Sequence, residues 1–287
     1  MLKNIKQNID KETVKKIFGS NKYVMEYLIE LDIIKGGMGL KYKKITDITK
    51  LIDEVISTWD YLIALKIIRG IFVKTKKYAN GKKAKEEIKV LIDEWNGLNL
   101  GRIKWPCSQK AFDALAQRIN NSFEPDKDKA ITKVAIQFRR MKELNTKRND
   151  FLEILIFEKN GSILPTLTHK GGTDYFIDGE SFDQKVAKSP TNQFVVKYGA
   201  KYRETAINHP EIVAKFLYEN QDEGRFGADS RLLIVYIDDD ISPEKIEEII
   251  NQTDLNNPIE IRFTYQHEKV GEKDYKVKCF VIILSND

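Results

Sequence analysis

Two aspartates and a lysine fall close together in GGTDYFIDGESFDQKVAKSPT, residues 171–191. Two β-type segments, Thr173–Ile177 and Ser181–Ala187, flank Asp178-Gly179-Glu180. Asp-Gly between alternating runs is a strong hairpin signal. A two-residue turn at Asp178-Gly179 sets Ile177 against Glu180, and counting back sets Asp174 against Asp183. Cross-strand neighbours have Cβ atoms roughly 5 Å apart, so both carboxylates share one face. Alternation along the strand adds Lys185 to that face and turns Gln184 away. Opposed like charges destabilise a sheet, and a buried unpaired carboxylate is costly. A divalent cation resolves the conflict. Mg2+ takes oxygen ligands from one or two carboxylates, phosphates and water. With Asp174 and Asp183 as metal ligands and Lys185 beside the attacking water or the phosphate, the expected chemistry is phosphodiester hydrolysis. Charges simply solvated on a surface hairpin are the bland alternative.

The residues just after the hairpin extend this expectation. Lys188, Ser189, Thr191, Asn192 and Gln193 supply ammonium, hydroxyl and amide groups suited to a nucleic-acid strand. Tyr198, Lys201 and Arg203 continue the group and complete the expected DNA-binding set.

Asp174, eight intervening residues and Asp183-Gln184-Lys185 together resemble the motif of the PD-(D/E)XK nuclease superfamily, type II restriction endonucleases in particular. Thr173 stands where that family often has proline, and Asp183 where it more often has glutamate. The resemblance implies that both aspartates bind the metal, that Lys185 assists the attacking water and that cleavage leaves a 5′-phosphate. It also implies a helix before the catalytic strands that often donates a further acid, here Glu153 or Glu143, with Glu153 the candidate catalytic residue. Double-stranded DNA as substrate, a homodimer and a cognate DNA methyltransferase follow from the same resemblance.

Bulk properties suit that expectation. The 287 residues carry 48 Lys+Arg against 43 Asp+Glu, a net charge of +5, and 41% are hydrophobic. The charge is uneven: residues 1–150 hold 32 Lys+Arg against 19 Asp+Glu, and residues 151–287 hold 16 against 24. A basic half joined to an acidic half suggests a nucleic-acid grip on a metal-dependent core. No apolar run approaches a membrane span, and no signal-peptide pattern opens the chain. Two distant cysteines, Cys107 and Cys279, fit a reducing, cytoplasmic setting. His169, His209 and His267 show no zinc spacing.

The elements that must position the site are legible in outline. Residues 11–44 read as helix, turn and helix followed by a short hairpin at Leu40–Lys44, either a winged helix-turn-helix or an ordinary helical hairpin. Residues 45–98 are helix-rich, with a lysine run (Lys74, Lys76, Lys77, Lys82, Lys83, Lys85) that could contact phosphate. Residues 97–108 read as a loop anchored by Trp105-Pro106. Apolar spacing from Ala130 to Met141 predicts one amphipathic helix; residues 148–159 read as a second helix ending at Asn160-Gly161 or as a strand over Phe151–Phe157, and the resemblance implies the helix. A strand is expected over Ile163–Thr168, and a buried one over Arg231–Ile237. Asp238-Asp239-Asp240 is expected to cap the helix that starts near Ser242. Strands at Ile259–Tyr265 and Lys276–Leu284 complete the sheet. The expected fold is α/β. Residues 126–287 form a restriction-endonuclease-like core with a mixed central sheet flanked by helices, and residues 1–125 a helical, basic DNA-recognition domain. The expected function is sequence-specific, Mg2+-dependent DNA cleavage. A repair nuclease of the same fold and a non-catalytic DNA-binding regulator are the rivals.

Overall fold

Asp178 and Gly179 both take positive φ, 52° and 80°, the signature of a two-residue type I′ hairpin turn. The turn joins β2 (Tyr175–Ile177) to β3 (Glu180–Lys188), with Ile177 opposite Glu180. The first residues of the chain pin it. Asn4 donates to the Asp178 carbonyl, Ile5 N donates to the Gly179 carbonyl, and Lys6 pairs with the Asp178 carboxylate. A Cβ at Gly179 would sit 2.0 Å from Asn4 Oδ1. Gly179→Ala is therefore expected to cost about 1–2 kcal/mol in urea unfolding, from left-handed backbone strain alone.

The computed structural model describes residues 4–45, 47–75, 78–100, 109–123, 125–168, 172–188, 192–220, 229–238, 240–267 and 271–287, with backbone only at 109–111, 188 and 192. Six strands form one mixed sheet in the order β1-β2-β3-β4-β6-β5. Here β1 is Leu164–Pro165, β4 Arg231–Tyr236, β5 Ile259–His267 and β6 Gly271–Leu284. The first three strands run antiparallel, β3, β4 and β6 run parallel, and β5 returns antiparallel at the edge. As its continuous apolar run predicts, β4 is buried along its whole length.

Two layers of helices cover the sheet. One face (Tyr175, Ile177, Phe182, Leu232, Ile234, Tyr236, Phe280) packs against α5 (Gly81–Gly97), α7 (Lys127–Lys159) and α11 (Pro243–Gln252). Burying each large apolar side chain there contributes roughly 1.5–3 kcal/mol. The opposite face is covered in two separate patches. Leu164 and Phe176 meet the helices α1 (Lys11–Phe18), α2 (Asn21–Ile34), α3 (Ile48–Ser57) and α4 (Tyr61–Lys74). Leu233, Val235 and Cys279 meet α8 (Asn192–Tyr198), α9 (Tyr202–Asn208) and α10 (Pro210–Glu219). The remaining described helix, α6 (Gln109–Asn120), lies against α7.

Three expectations are corrected. No wing strand forms at Leu40–Lys44; a 3-10 turn over Tyr42–Lys44 stands there, with Tyr42 buried and its hydroxyl donating to Glu54. The two helical segments before the hairpin are one 33-residue helix, α7. The polar link Glu143–Lys147 has no glycine or proline to break it, and Arg140–Glu94 and Lys147–Glu87 tie it to α5. Finally, Ser242 caps α11, not the acidic triplet. Asp238 instead pairs with Arg203 and accepts from Asn286 N, while Asp239 lies outside the described residues.

Candidate active site

The β2–β3 register ends at Tyr175 opposite Phe182, and Asp174 is the residue just before β2. Asp174 sits beside Tyr175 against Phe182, not in register with Asp183. Its N–H donates to the Phe182 carbonyl at 2.9 Å, and its Oδ2 accepts from Gln184 N at 2.7 Å. That second bond fixes the carboxylate against β3. At Asp183, β3 changes partners from antiparallel β2 to parallel β4. Asp183, Lys185 and Ala187 alternate onto the face that carries the two helical patches, and Ala187 reaches the α8–α10 patch. The aspartates therefore lie between α1–α4 on one side and α8–α10 on the other. Gln184 points to the opposite face, as alternation requires, and accepts from the Tyr175 hydroxyl at 2.8 Å.

Asp183 is only 6% exposed, whereas the Lys185 side chain is 45% exposed, with Nζ 3.1 Å from Asp183 Oδ2. Asp183 and Lys185 thus share one face, and the Asp174 carboxylate reaches β3 at the Gln184 N–H between them. Sequence reasoning overlooked a fourth member. Arg231, read only as the first residue of an apolar strand, is in register with Asp183 across β3 and β4. Its guanidinium contacts the same Asp183 Oδ2, and its other terminal nitrogen lies 3.8 Å from Asp229 Oδ2. Arg231 is 4% exposed. Burial holds its pKa below the usual arginine range, against the opposing charge of Asp174. Asp183 Oδ2 is thus shared by two cations, Arg231 and Lys185. An arginine opening an otherwise apolar strand was the available signal, because an isolated charge on a buried strand needs a partner.

The other expected site residues are more scattered. Glu153 projects from α7 into a cleft of about 680 Å³ that Lys22, Tyr23, Lys74, Thr166 and Thr168 also line. Thr166 N donates to the Asp174 carbonyl, so this cleft adjoins the hairpin. Burial raises the Tyr175 pKa, and the charges of Glu153 and Asp174 raise it further. Glu143 instead pairs with Arg140 on the exposed side of α7. Among the described residues, no three His, Cys, Asp or Glu side chains gather as a metal-holding group.

The backbone puts Lys188 at the end of β3 and Asn192 at the start of α8; Ser189 and Thr191 lie outside the described residues. Gln193 and Lys201 are exposed. Tyr198 packs on Phe194 with ring centroids 4.4 Å apart. Arg203 is committed to carboxylates: its guanidinium donates to Asp238 at 2.8 and 3.1 Å and to Asp287 at 2.5 Å. These bonds raise its pKa and, with Arg203 the leading cause, lower that of Asp238. In the lysine run, Lys74 pairs with Glu30 and Lys85 with Glu247, Lys82 and Lys83 are exposed, and Lys76 and Lys77 lie outside the described residues. Trp105, Pro106, Cys107 and His169 also lie outside them. His209 pairs with Glu211, and His267 hydrogen-bonds Tyr275.

No protein-family model, curated protein or solved structure matches the chain. Among the described residues no helix is long and apolar enough to cross a membrane.

Proposed function

We propose that the chain is a Mg2+-dependent DNA endonuclease of the PD-(D/E)XK kind, acting as a type II restriction enzyme on duplex DNA. One observation carries the reading: the Asp174 carboxylate is held at 2.7 Å by the N–H of Gln184, the residue between Asp183 and Lys185, and Lys185 Nζ lies 3.1 Å from Asp183 Oδ2. The order of elements supports it. Helix α7 precedes three antiparallel strands that carry the acidic pair, and β4 then runs parallel to β3.

The donor set suits a hard cation. Asp174 and Asp183 supply carboxylate oxygens on either side of the Gln184 N–H and the Lys185 ammonium; water and phosphate oxygens would complete the coordination of Mg2+. Bound there, Mg2+ would supply charge neutralisation at the phosphate and a more acidic water. The chain's own residues do the positioning. Gln184 N holds the Asp174 carboxylate, and Lys185 stands where its ammonium can orient the attacking water and offset phosphate charge. A homodimer and a partner methyltransferase belong to the same proposal, since palindromic sites and host protection go with this class of enzyme.

The Arg231–Asp183 pair favours one rival, a DNA-binding regulator whose acidic hairpin is neutralised within the fold. Incubating the protein with unmethylated plasmid or phage DNA, in Mg2+ or in EDTA, separates the two. Discrete fragments are expected with Mg2+ alone, and none from Asp174→Asn. Intact DNA in every condition would count against the nuclease and for the regulator.

A further inference from the structure

We infer that Arg231 competes with a divalent metal for Asp183, and that Asp229 is the carboxylate to which its guanidinium moves when metal binds. The inference rests on the metal site proposed above and assigns a control to it. Five charged groups meet at the β3–β4 junction. Asp174, Asp183 and, at the rim, Asp229 bring three negative charges, and Lys185 and Arg231 two positive ones. The guanidinium contacts the Asp183 oxygen that a metal would need, and it also feels the charge of Asp174. It therefore lies within the field of both proposed ligands. Adding a dication without moving Arg231 would set two cations on one Asp183 oxygen and turn a net −1 into a net +1 in a partly buried site, where Coulomb terms are several-fold stronger than in water.

An alternative partner is close at hand. Asp229 Oδ2 lies 3.8 Å from the second terminal nitrogen of Arg231, and the Asp229 side chain is 68% exposed. The two residues are separated only by Ser230, whose carbonyl accepts from Asp183 N at 3.2 Å. Side-chain rotation of Arg231 can thus exchange one carboxylate for the other while the strand register stays fixed. A guanidinium suits that exchange, because its planar fork presents donors in two directions. Asp229 thereby has a function that its exposed position alone does not suggest. Arg231 is a positioning residue here: it sets when Asp183 is open to metal and touches no reacting atom.

The test is Mn2+ binding to the full chain without DNA, followed by the electron paramagnetic resonance of free Mn2+ or by calorimetry. Arg231→Met is expected to bind Mn2+ about tenfold more tightly than wild type or better, because the competing charge is gone. Asp229→Asn is expected to bind several-fold more weakly, since the displaced guanidinium loses its second carboxylate. Asp174→Asn should abolish binding in either background. If Arg231→Met does not fold, the exposed Asp229→Asn still decides. Asp174-dependent binding that is as tight in Asp229→Asn and Arg231→Met as in wild type would overturn the competition while leaving the metal site standing. Absence of Asp174-dependent binding in every variant would overturn the metal site, and the inference with it.

Discussion

Lys185→Ala is expected to lower the single-turnover rate of DNA cleavage by about 10²- to 10⁴-fold, the range for a positioned proton-transfer or charge-stabilising group. Its thermal midpoint should barely move. The Lys185 side chain is nearly half exposed, and exposed ion pairs are worth only about 0–1 kcal/mol. Arg231 still faces Asp183 after the substitution, so the buried carboxylate keeps a counter-charge. Lys185→Arg tests the geometry. It preserves the charge but replaces a compact ammonium with a longer planar fork, so little activity should return. Cleavage rates measured with equal protein and excess Mg2+ decide the matter. Undiminished cutting by Lys185→Ala would move the active centre away from this hairpin.

Legibility of the fold in the sequence followed how local each signal was. The hairpin register was readable because Asp178-Gly179 fixes a two-residue turn, and a turn fixes every pair behind it. β4 was readable because six buried positions in a row leave no other pattern. The start of α11 near Ser242 was readable because Ser-Pro before an amphipathic run acts within one turn of helix, although its cap was misassigned to the acidic triplet. The failures share a cause. Tyr42 turns inward to Glu54 across twelve residues, so the expected wing never becomes a strand. Asp238 looked like a cap by adjacency but serves Arg203 from 35 residues away. The same pairing commits a side chain that the sequence offered as a phosphate contact. Arg231 escaped notice because its partner lies on a strand that sequence periodicity cannot align with β4. Parallel register is set by the crossover helices and their packing, which no short motif encodes.

Asp183→Ala should be the most destabilising change in the candidate site, by about 3–5 kcal/mol, because it strands a buried guanidinium. Arg231 is 4% exposed on a fully buried strand, and Asp229 approaches it only at 3.8 Å from the rim. The opposite truncation should cost less, since Asp183 in Arg231→Met still has Lys185 at 3.1 Å. Asp174→Ala should be milder than Asp183→Ala, because its carboxylate accepts from Gln184 N while Asp183 keeps the buried guanidinium paired. Combining Asp183→Ala with Arg231→Met should recover much of the loss, because replacing a whole buried ion pair with apolar groups is often close to neutral. Chemical unfolding of the four proteins in EDTA closes a double-mutant cycle, and coupling energies between contacting residues run to about 0.5–3 kcal/mol. Additive losses would mean that Asp183 and Arg231 are independent, whatever their proximity. Adding Mg2+ then separates stability from function. A ligand at 100 times its Kd stabilises the native state by about 2.7 kcal/mol, and that gain should vanish wherever Asp183 is absent. It should be largest in Arg231→Met, where the metal no longer has to displace a cation that the fold already supplies.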